Sequence, residues 1–400
     1  MRLICPRVIA GNRGDLLSRW GILSSLAPLG LSDVAVFCAR ERHVPAGPFH
    51  VLPYGHLYNL IPGWRGWKAL WHSDTVLWTA GLDLQDDSSL AKLVHTLLLF
   101  GIYRAMGLRI VVVMQGAGPL AQGAGLWLAR RIVNRVSVFI VRDPGSHALL
   151  ASLGSAARLI QASDGIFLDG FDEESAGARE NQRSAPRRPG RPLVGINVRL
   201  WFHFSSGWVP YQFAKKRYRA RAAPHMARVL DGFAKTITAL RRRYHARIVL
   251  LSMYEPAVEP WEDDLALLRA LKERFSGDDE VMVLDEDFSI PEFYALVRGL
   301  DLVIGMRLHS TLVAIRAGVP ALHVSYTAKG RDIFRALGLG DLAVEVEDFM
   351  DDPAIVVDKA ARALDDPGLR ARVAAVRDET VRRNRTVLAE SLALLREQGR

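Results

Sequence analysis

Short apolar runs recur along this chain, and most end in a turn bearing glycine or a small polar residue before helical spacing begins. Arg109–Met114 runs into Gln115-Gly116-Ala117-Gly118-Pro119, and Val136–Val141 into Arg142-Asp143. Leu193–Val198 ends at Arg199, Ile248–Leu251 leads into Ser252-Met253-Tyr254, and Leu302–Ile304 leads into Gly305. Runs without polar alternation are strands buried on both faces, as in a parallel sheet covered by helices. Repeated strand–helix alternation therefore predicts an α/β chain. From Asp172 to Pro192 the residues turn to Glu, Ser, Ala, Arg, Gly and Pro, the composition of a linker, whose Arg183, Arg187, Arg188 and Arg191 read as solvated charges. The expected layout is a Rossmann-like unit over 1–175, a linker over 176–192 and a second Rossmann-like unit over 193–370. A long helix at about 375–398, polar on one face and with no strand after it, is expected to cross back and brace the first unit.

In open α/β sheets, ligands collect at the carboxyl ends of the strands. A helix N-terminus there adds unpaired N–H groups and the positive end of the dipole. The turn with most chemistry follows Leu302–Ile304. Gly305 permits a tight exit, a helix starts near Leu308 with Leu308, Leu312 and Ile315 on one face, and Gly318 caps it ahead of Pro320. A strand over Val319–Tyr326 comes next. Arg307, His309 and Ser310 stand at the helix start, with Tyr326 and Lys329 at the end of that strand. An arginine fork suits a carboxylate or phosphate, and a histidine suits proton transfer near neutral pH. The plain structural alternatives are a capping or core role for His309 and a buried ion pair for Arg307.

Other strand ends supply further binding candidates. The segment Val8–Asp15 reads as a short strand and a turn carrying Asn12, Gly14 and Asp15; an equal alternative is that Asp15 merely caps the helix that follows. Gly116 and Gly118, Arg199, and Ser252 with Tyr254 occupy the same kind of position. Pro45–Trp71 reads as an irregular loop that could cover a cleft. Its Tyr54, Tyr58, Trp64, Trp67 and Trp71 are expected to pack rather than stack on sugar rings.

A net charge of +9 and a pI near 9.7 favour anionic partners. The run Lys215–Arg221 is a candidate to steer an anionic acceptor or to rest on a membrane surface, whereas Arg241–Arg247 also suits the C-terminal end of a helix dipole. Cys5 and Cys38 have no metal-type spacing, which suits a reducing compartment. No metal-ligand constellation and no serine nucleophile elbow is visible. The first residues lack an apolar signal region, and Leu93–Leu108 is interrupted by His95 and Arg104, short of the ~20 apolar residues of a spanning helix. The expectation is a cytoplasmic protein, with attachment at the inner face of the cell membrane kept open.

Taken together, Gly11-Asn12-x-Gly14-Asp15, Gln115-Gly116-x-Gly118-Pro119, Val141-Arg142-Asp143 with Ser146, the strand-end Arg199, and Gly305-x-Arg307-Leu308-His309 with Gly318-Val319-Pro320, Tyr326 and Lys329 resemble the bacterial polysaccharide pyruvyl transferase family. The likeness runs from about Val8 to Leu339. It implies a GT-B-like architecture, two Rossmann-like domains with parallel sheets facing a cleft, the first on the acceptor side and the second on the donor side. It implies transfer of a pyruvyl group from phosphoenolpyruvate to a sugar of an exopolysaccharide or lipid-linked oligosaccharide, as a ketal. No cofactor is expected, phosphoenolpyruvate being the donor substrate. Donor-site roles carry over to Arg307, as charge clamp, and His309, as proton donor, with Arg199 as a further donor contact. One departure is Thr79-Ala80-Gly81-Leu82-Asp83, where the family usually shows a glycine-rich stretch; this bears on the acceptor and on activity. Two rivals remain: a GT-B glycosyltransferase using a nucleotide sugar, and a non-catalytic polyanion-binding protein, against which the absence of a nucleic-acid motif counts.

Overall fold

The computed structural model describes the chain except residues 10, 82, 87–88, 172–187, 202–210, 256–263 and 398–400, and the side chains of 211–218 and 397. Two parallel sheets dominate it. The first has seven strands: β1 (Leu3–Cys5), β2 (Val34–Phe37), β3 (Phe49–Leu52), β4 (Thr75–Thr79), β5 (Arg109–Gln115), β6 (Val138–Val141) and β7 (Arg158–Gln161), in the order β3-β2-β1-β4-β5-β6-β7. The second has six: β8 (Leu193–Asn197), β9 (Arg247–Leu251), β10 (Val281–Leu284), β11 (Leu302–Gly305), β12 (Ala321–Ser325) and β13 (Ala343–Glu345), in the order β10-β9-β8-β11-β12-β13. Typical registers pair Thr75 with Arg109 and Val303 with Ala321. This is a GT-B-like arrangement of two Rossmann-like domains.

The expected opening strand at Val8–Ile9 is displaced. The strand is Leu3–Cys5, and Pro6, which has no N–H to donate, ends its ladder. The stretch Pro45–Trp71 is more regular than a loop. It holds strand β3 and a helix, α2 (Gly63–His72). The signal passed over was Trp64, Trp67 and Trp71 at i, i+3 and i+7, a helical stripe.

Helix α1 (Arg13–Ser24) joins the two sheets. Its Leu16, Leu17 and Trp20, with Ile166, Phe167 and Phe171 beyond β7, lie in the same buried cluster as Val194, Ile304 and Val313 of the second domain. Helix α13 (Pro367–Glu397) also packs on both domains. Leu369, Val373 and Val381 enter that shared cluster, and Leu388, Leu392 and Leu395 enter the cluster under the first sheet with Ile22 and Val36. An interface with this much apolar content resists the free hinge motion that a polar contact would allow.

The turn after β4 has a definite shape. Ala80 sits at φ 57 and Gly81 at φ 85, both left-handed. A Cβ on Gly81 would come within 2.0 Å of Arg7 Nη2. Arg7 is held there by Asp83, which accepts from Arg7 Nε at 2.7 Å, Trp78 Nε1 at 2.9 Å and Gln115 Nε2 at 2.7 Å, with Lys92 at 3.2 Å. Burial works to raise the Asp83 pKa, but Arg7, Lys92 and these hydrogen bonds outweigh it and hold the carboxyl well below its usual range. The glycine-poor turn is thus closed by a buried polar plug. A left-handed alanine costs ~1–2 kcal/mol, and glycine gives part of that back to unfolded-chain entropy. Ala80→Gly is therefore expected to stabilise the fold by ~0.5–1 kcal/mol in urea titration.

Candidate active site

Loops leaving the carboxyl ends of both sheets meet along one polar seam. Helix α9 (Leu308–Arg316) starts there, with Arg307 as its non-helical cap. His309 projects across the seam to the end of β7, where its Nε2 lies 3.2 Å from Asp164 Oδ2. The same oxygen accepts from Arg142 Nη1 at 2.9 Å, while Oδ1 accepts from Ser18 Oγ at 2.7 Å and the Ile166 N–H at 3.1 Å. Asn384 of α13 donates to the Asp164 carbonyl at 2.9 Å, so the C-terminal helix also braces this residue. Burial pushes the Asp164 pKa up. His309 and Arg142, with the Ser18 hydrogen bond, more than reverse that and hold it well below the carboxylate range. An ionised carboxylate only accepts, so His309 Nε2 carries the hydrogen of this contact and Nδ1 is the ring atom left to exchange a proton.

Nδ1 lies over Gly14, where a Cβ would be 2.4 Å from it. Gly116 plays the matching part for Lys329. A Cβ there would be 2.5 Å from Lys329 Nζ and 3.0 Å from Arg142 Nε. Lys329 Nζ donates to the Ala117 carbonyl at 3.1 Å and lies 3.7 Å from Asp143 Oδ2. Arg142 is 7 % exposed, and its Nε is buried with no hydrogen-bond partner. An unpaired buried donor is costly, so a side chain held in this state by a salt bridge on its other face points to a ligand contact. His309, Arg142 and Lys329 thus bring three cationic or protonatable groups from two domains to the ends of β5, β6 and β7.

Other predicted site residues serve the frame. Asp15 does not cap α1: Asn12 does, its Oδ1 accepting the Gly14 N–H at 3.0 Å, while Asp15 lies 3.5 Å from Arg7. The Arg13 N–H goes to the Met253 carbonyl at 2.9 Å, and Asn12 bridges Tyr254 in backbone pairing. The N–H groups of Arg13 and Gly14 are therefore already satisfied, because the turn stitches the domains together. Arg13, 2 % exposed, completes the stitch by donating to the Ser252 carbonyl at 2.9 Å and the Glu286 carbonyl at 3.0 Å. Ser252 Oγ is occupied in a local turn with Tyr254. Gly118 supplies a turn at φ 80, its N–H on the Leu84 carbonyl, and a Cβ there would come within 2.8 Å of Leu149 Cδ2. Ser310 is buried with Oγ on the Arg307 carbonyl at 2.6 Å.

Arg307 needs the largest revision. Its fork is bound by Asp264, Nε to Oδ2 at 2.6 Å and Nη2 to Oδ1 at 2.7 Å, and the Tyr254 ring packs on it at 4.8 Å. The Arg307 N–H donates to Asn197 Oδ1 at 3.0 Å. In this state it is a buried ion pair that fixes the turn ahead of His309, the alternative weighed for it from sequence. Arg199 and Tyr326 come together, guanidinium over ring at 4.4 Å. The basic run at Lys215–Arg221 lies largely outside the described side chains; Arg241 and Arg243 pair with Asp278 and Asp365. Arg188 and Arg191 both reach Glu280, because the chain entering β8 runs beside the start of β10.

Sequence reasoning passed over Arg142, Asp164 and Asp264 as functional groups. Arg142 was in hand as a strand-end motif without a role. Asp164 closes β7 in Ser163-Asp164-Gly165, and the strand-end rule applied to Gly116 would have found it too.

Comparison with known proteins bears on the family and the fold. The Polysaccharide pyruvyl transferase family profile matches residues 12–327. The amylovoran biosynthesis protein AmsJ of Erwinia amylovora is 30% identical over 119 residues, which are 30% of this chain and 28% of that protein. The matched stretch thus spans well under a third of this relative's length. Among solved structures, UDP-GlcNAc 2-epimerase from Methanocaldococcus jannaschii superposes with a TM-score of 0.58 at 12% identity, covering 92% of this chain and 94% of that one. Sucrose-phosphate synthase from Thermosynechococcus elongatus does so with a TM-score of 0.58 at 13% identity, covering 100% and 99%. At such identities the likeness speaks for the fold alone. The profile match covers most of the chain and includes the turns that bring Gly14, Gly116, Arg142 and His309 to one seam, and the chain belongs to the polysaccharide pyruvyl transferase family.

Proposed function

We propose that this protein transfers a pyruvyl group from phosphoenolpyruvate to a saccharide of an exopolysaccharide or its lipid-linked precursor, as a ketal. The observation that carries the reading is the Arg142–Lys329–His309 convergence around Gly116 and Gly14, with the orphaned Arg142 Nε among it. Phosphoenolpyruvate presents a carboxylate and a phosphate, and Arg142 and Lys329 are matched to those charges. His309 Nδ1 protonates the methylene carbon, which makes the adjacent carbon oxocarbenium-like. A sugar hydroxyl adds there, the carbon–oxygen bond to phosphate breaks, and a second hydroxyl closes the ketal. One hydroxyl proton ends on the new methyl group by way of His309 and the other on the departing phosphate. Asp164 keeps the imidazole oriented, and the Arg307–Asp264 pair holds the turn that carries it. Arg199, against Tyr326, is assigned a further donor contact. Two buried free cysteines, Cys5 and Cys38, suit the cytoplasm, where the reading places the reaction.

The test is acceptor-dependent phosphate release from phosphoenolpyruvate with saccharide extracts, read together with a new ketal methyl signal by NMR. Thermal shift supplies the discriminating arm: phosphoenolpyruvate is expected to raise Tm. A shift with UDP or a UDP-sugar and none with phosphoenolpyruvate would favour a nucleotide-sugar glycosyltransferase instead. Steeply salt-dependent DNA binding with neither shift would favour a polyanion-binding protein.

A further inference from the structure

All of the large apolar side chains that stand exposed among the described residues fall between Leu57 and Trp127. They share one layer. Helix α2, α3 (Leu90–Ala105) and α4 (Gly123–Val133) cover the same side of the first sheet, burying Leu70, Leu93 and Leu128 in one core cluster. The 54–62 loop joins this layer where His95 of α3 reaches the Leu57 carbonyl at 3.0 Å and its ring meets Tyr58 at 6.3 Å. On the outer side, Trp64 is 82% exposed, Trp71 80%, Trp127 54% and Leu98 51%. Trp64, Trp67 and Trp71 form one stripe along α2, while Gly66 and Leu70 turn inward.

The charged residues on the helices of the layer are basic only. The three helices hold Arg65, Lys68, Lys92, Arg104, Arg130 and Arg131 and no Asp or Glu. Lys92 is paired with Asp83, and the other five stand exposed. Arg131 lies over the Trp127 ring at 4.6 Å. Exposed tryptophans interleaved with Lys and Arg are the chemistry of a surface that lies in the headgroup region of a bilayer and prefers anionic lipid. A second copy of the chain is a poor occupant, because a two-fold contact would press this acid-free face against itself. Among the described residues no helix is long and apolar enough to cross a membrane.

We propose that the outer layer formed by α2, α3, α4 and the 54–62 loop docks on an anionic bilayer, with Trp64, Trp67, Trp71 and Trp127 entering the headgroup–acyl boundary. This surface differs from the basic run at Lys215–Arg221 singled out by sequence. It adjoins the polar seam: the loop leaves the carboxyl end of β3, and Tyr54 Oη bonds the Ile9 N–H at 2.8 Å and carbonyl at 3.0 Å, shortly before the Asn12 turn. Docking would therefore bring the seam close to the lipid surface, and it stands whatever reaction the seam performs.

The test uses the full chain in flotation and co-sedimentation with phosphatidylglycerol–phosphatidylethanolamine vesicles and with pure phosphatidylcholine vesicles. Wild-type protein is expected to partition at least tenfold better onto the anionic vesicles, with binding falling as salt rises. Trp64→Ser/Trp71→Ser/Trp127→Ser and Arg65→Glu/Lys68→Glu/Arg131→Glu should each lose at least tenfold in partitioning. Their melting curves should match wild type, since all six side chains are exposed. Absence of wild-type binding to anionic vesicles at low salt would overturn the proposal, as would undiminished binding by either variant. A dimer in analytical ultracentrifugation that the tryptophan substitutions dissociate, without vesicle binding, would reassign the face to self-association.

Discussion

His309→Ala is expected to lower turnover with phosphoenolpyruvate by about 10²–10⁴, the usual worth of a positioned proton donor. Donor affinity by titration calorimetry should change little, because the anionic ends of the donor are assigned to Arg142 and Lys329. The ring is fixed by two features that a substitution can separate. Asp164 holds Nε2, and Gly14 leaves the space that Nδ1 occupies. Gly14→Ala should therefore mimic the loss in turnover while keeping the imidazole, since a Cβ at 2.4 Å from Nδ1 forces the ring to move. Near wild-type rates for His309→Ala in single-turnover phosphate release would remove it from the mechanism.

Asp164→Ala should be the most damaging change to the fold at this site. The carboxylate receives Arg142, His309, Ser18 and a backbone N–H, and its loss leaves the Arg142 charge buried without its partner. Breaking a buried pair in this way typically costs about 3–5 kcal/mol, which urea titration would read directly. Asp164→Asn keeps the shape and removes the charge, which makes the pH dependence informative. The Asp164 pKa is lowered in the fold, so its contribution to stability is present above the unfolded value of about 3.9 and is lost as pH falls through the folded value. Wild type should therefore lose stability on acidification below about pH 4 more steeply than Asp164→Asn. Parallel acid profiles for the two would show that the carboxylate is not the stabilising group it is taken to be.

The two-sheet architecture was legible because buried parallel strands need unbroken apolar runs and their crossovers need capped helices, and both leave local marks. The position of His309 was legible for the same reason, since Gly305 and Gly318 bracket its helix. Its partner was not. Asp164 lies 145 residues away, and no local pattern pairs a strand-end aspartate of one sheet with a helix start on the other. Arg307 shows the converse, a side chain whose partner in the fold its local sequence does not reveal. Its type and place suggested a ligand clamp, but Asp264, 43 residues earlier, takes its fork. The tryptophans of α2 were judged by the average burial of aromatics, which carries no information about which side of a helix layer faces solvent.

What the linear chain settles, then, is where strands end and which reactive side chains stand at those ends, because backbone geometry and hydrophobic period are properties of neighbouring residues. It also shows which glycines stand at those turns. Folding adds the identity of the groups they make room for: His309 over Gly14 and Lys329 with Arg142 over Gly116. Charges seek whichever opposite charge the packing brings near, and that depends on how α1 and α13 lock the two sheets together. For this reason a residue's chemistry can be read in the sequence, whereas its freedom to use that chemistry is a property of the assembled fold.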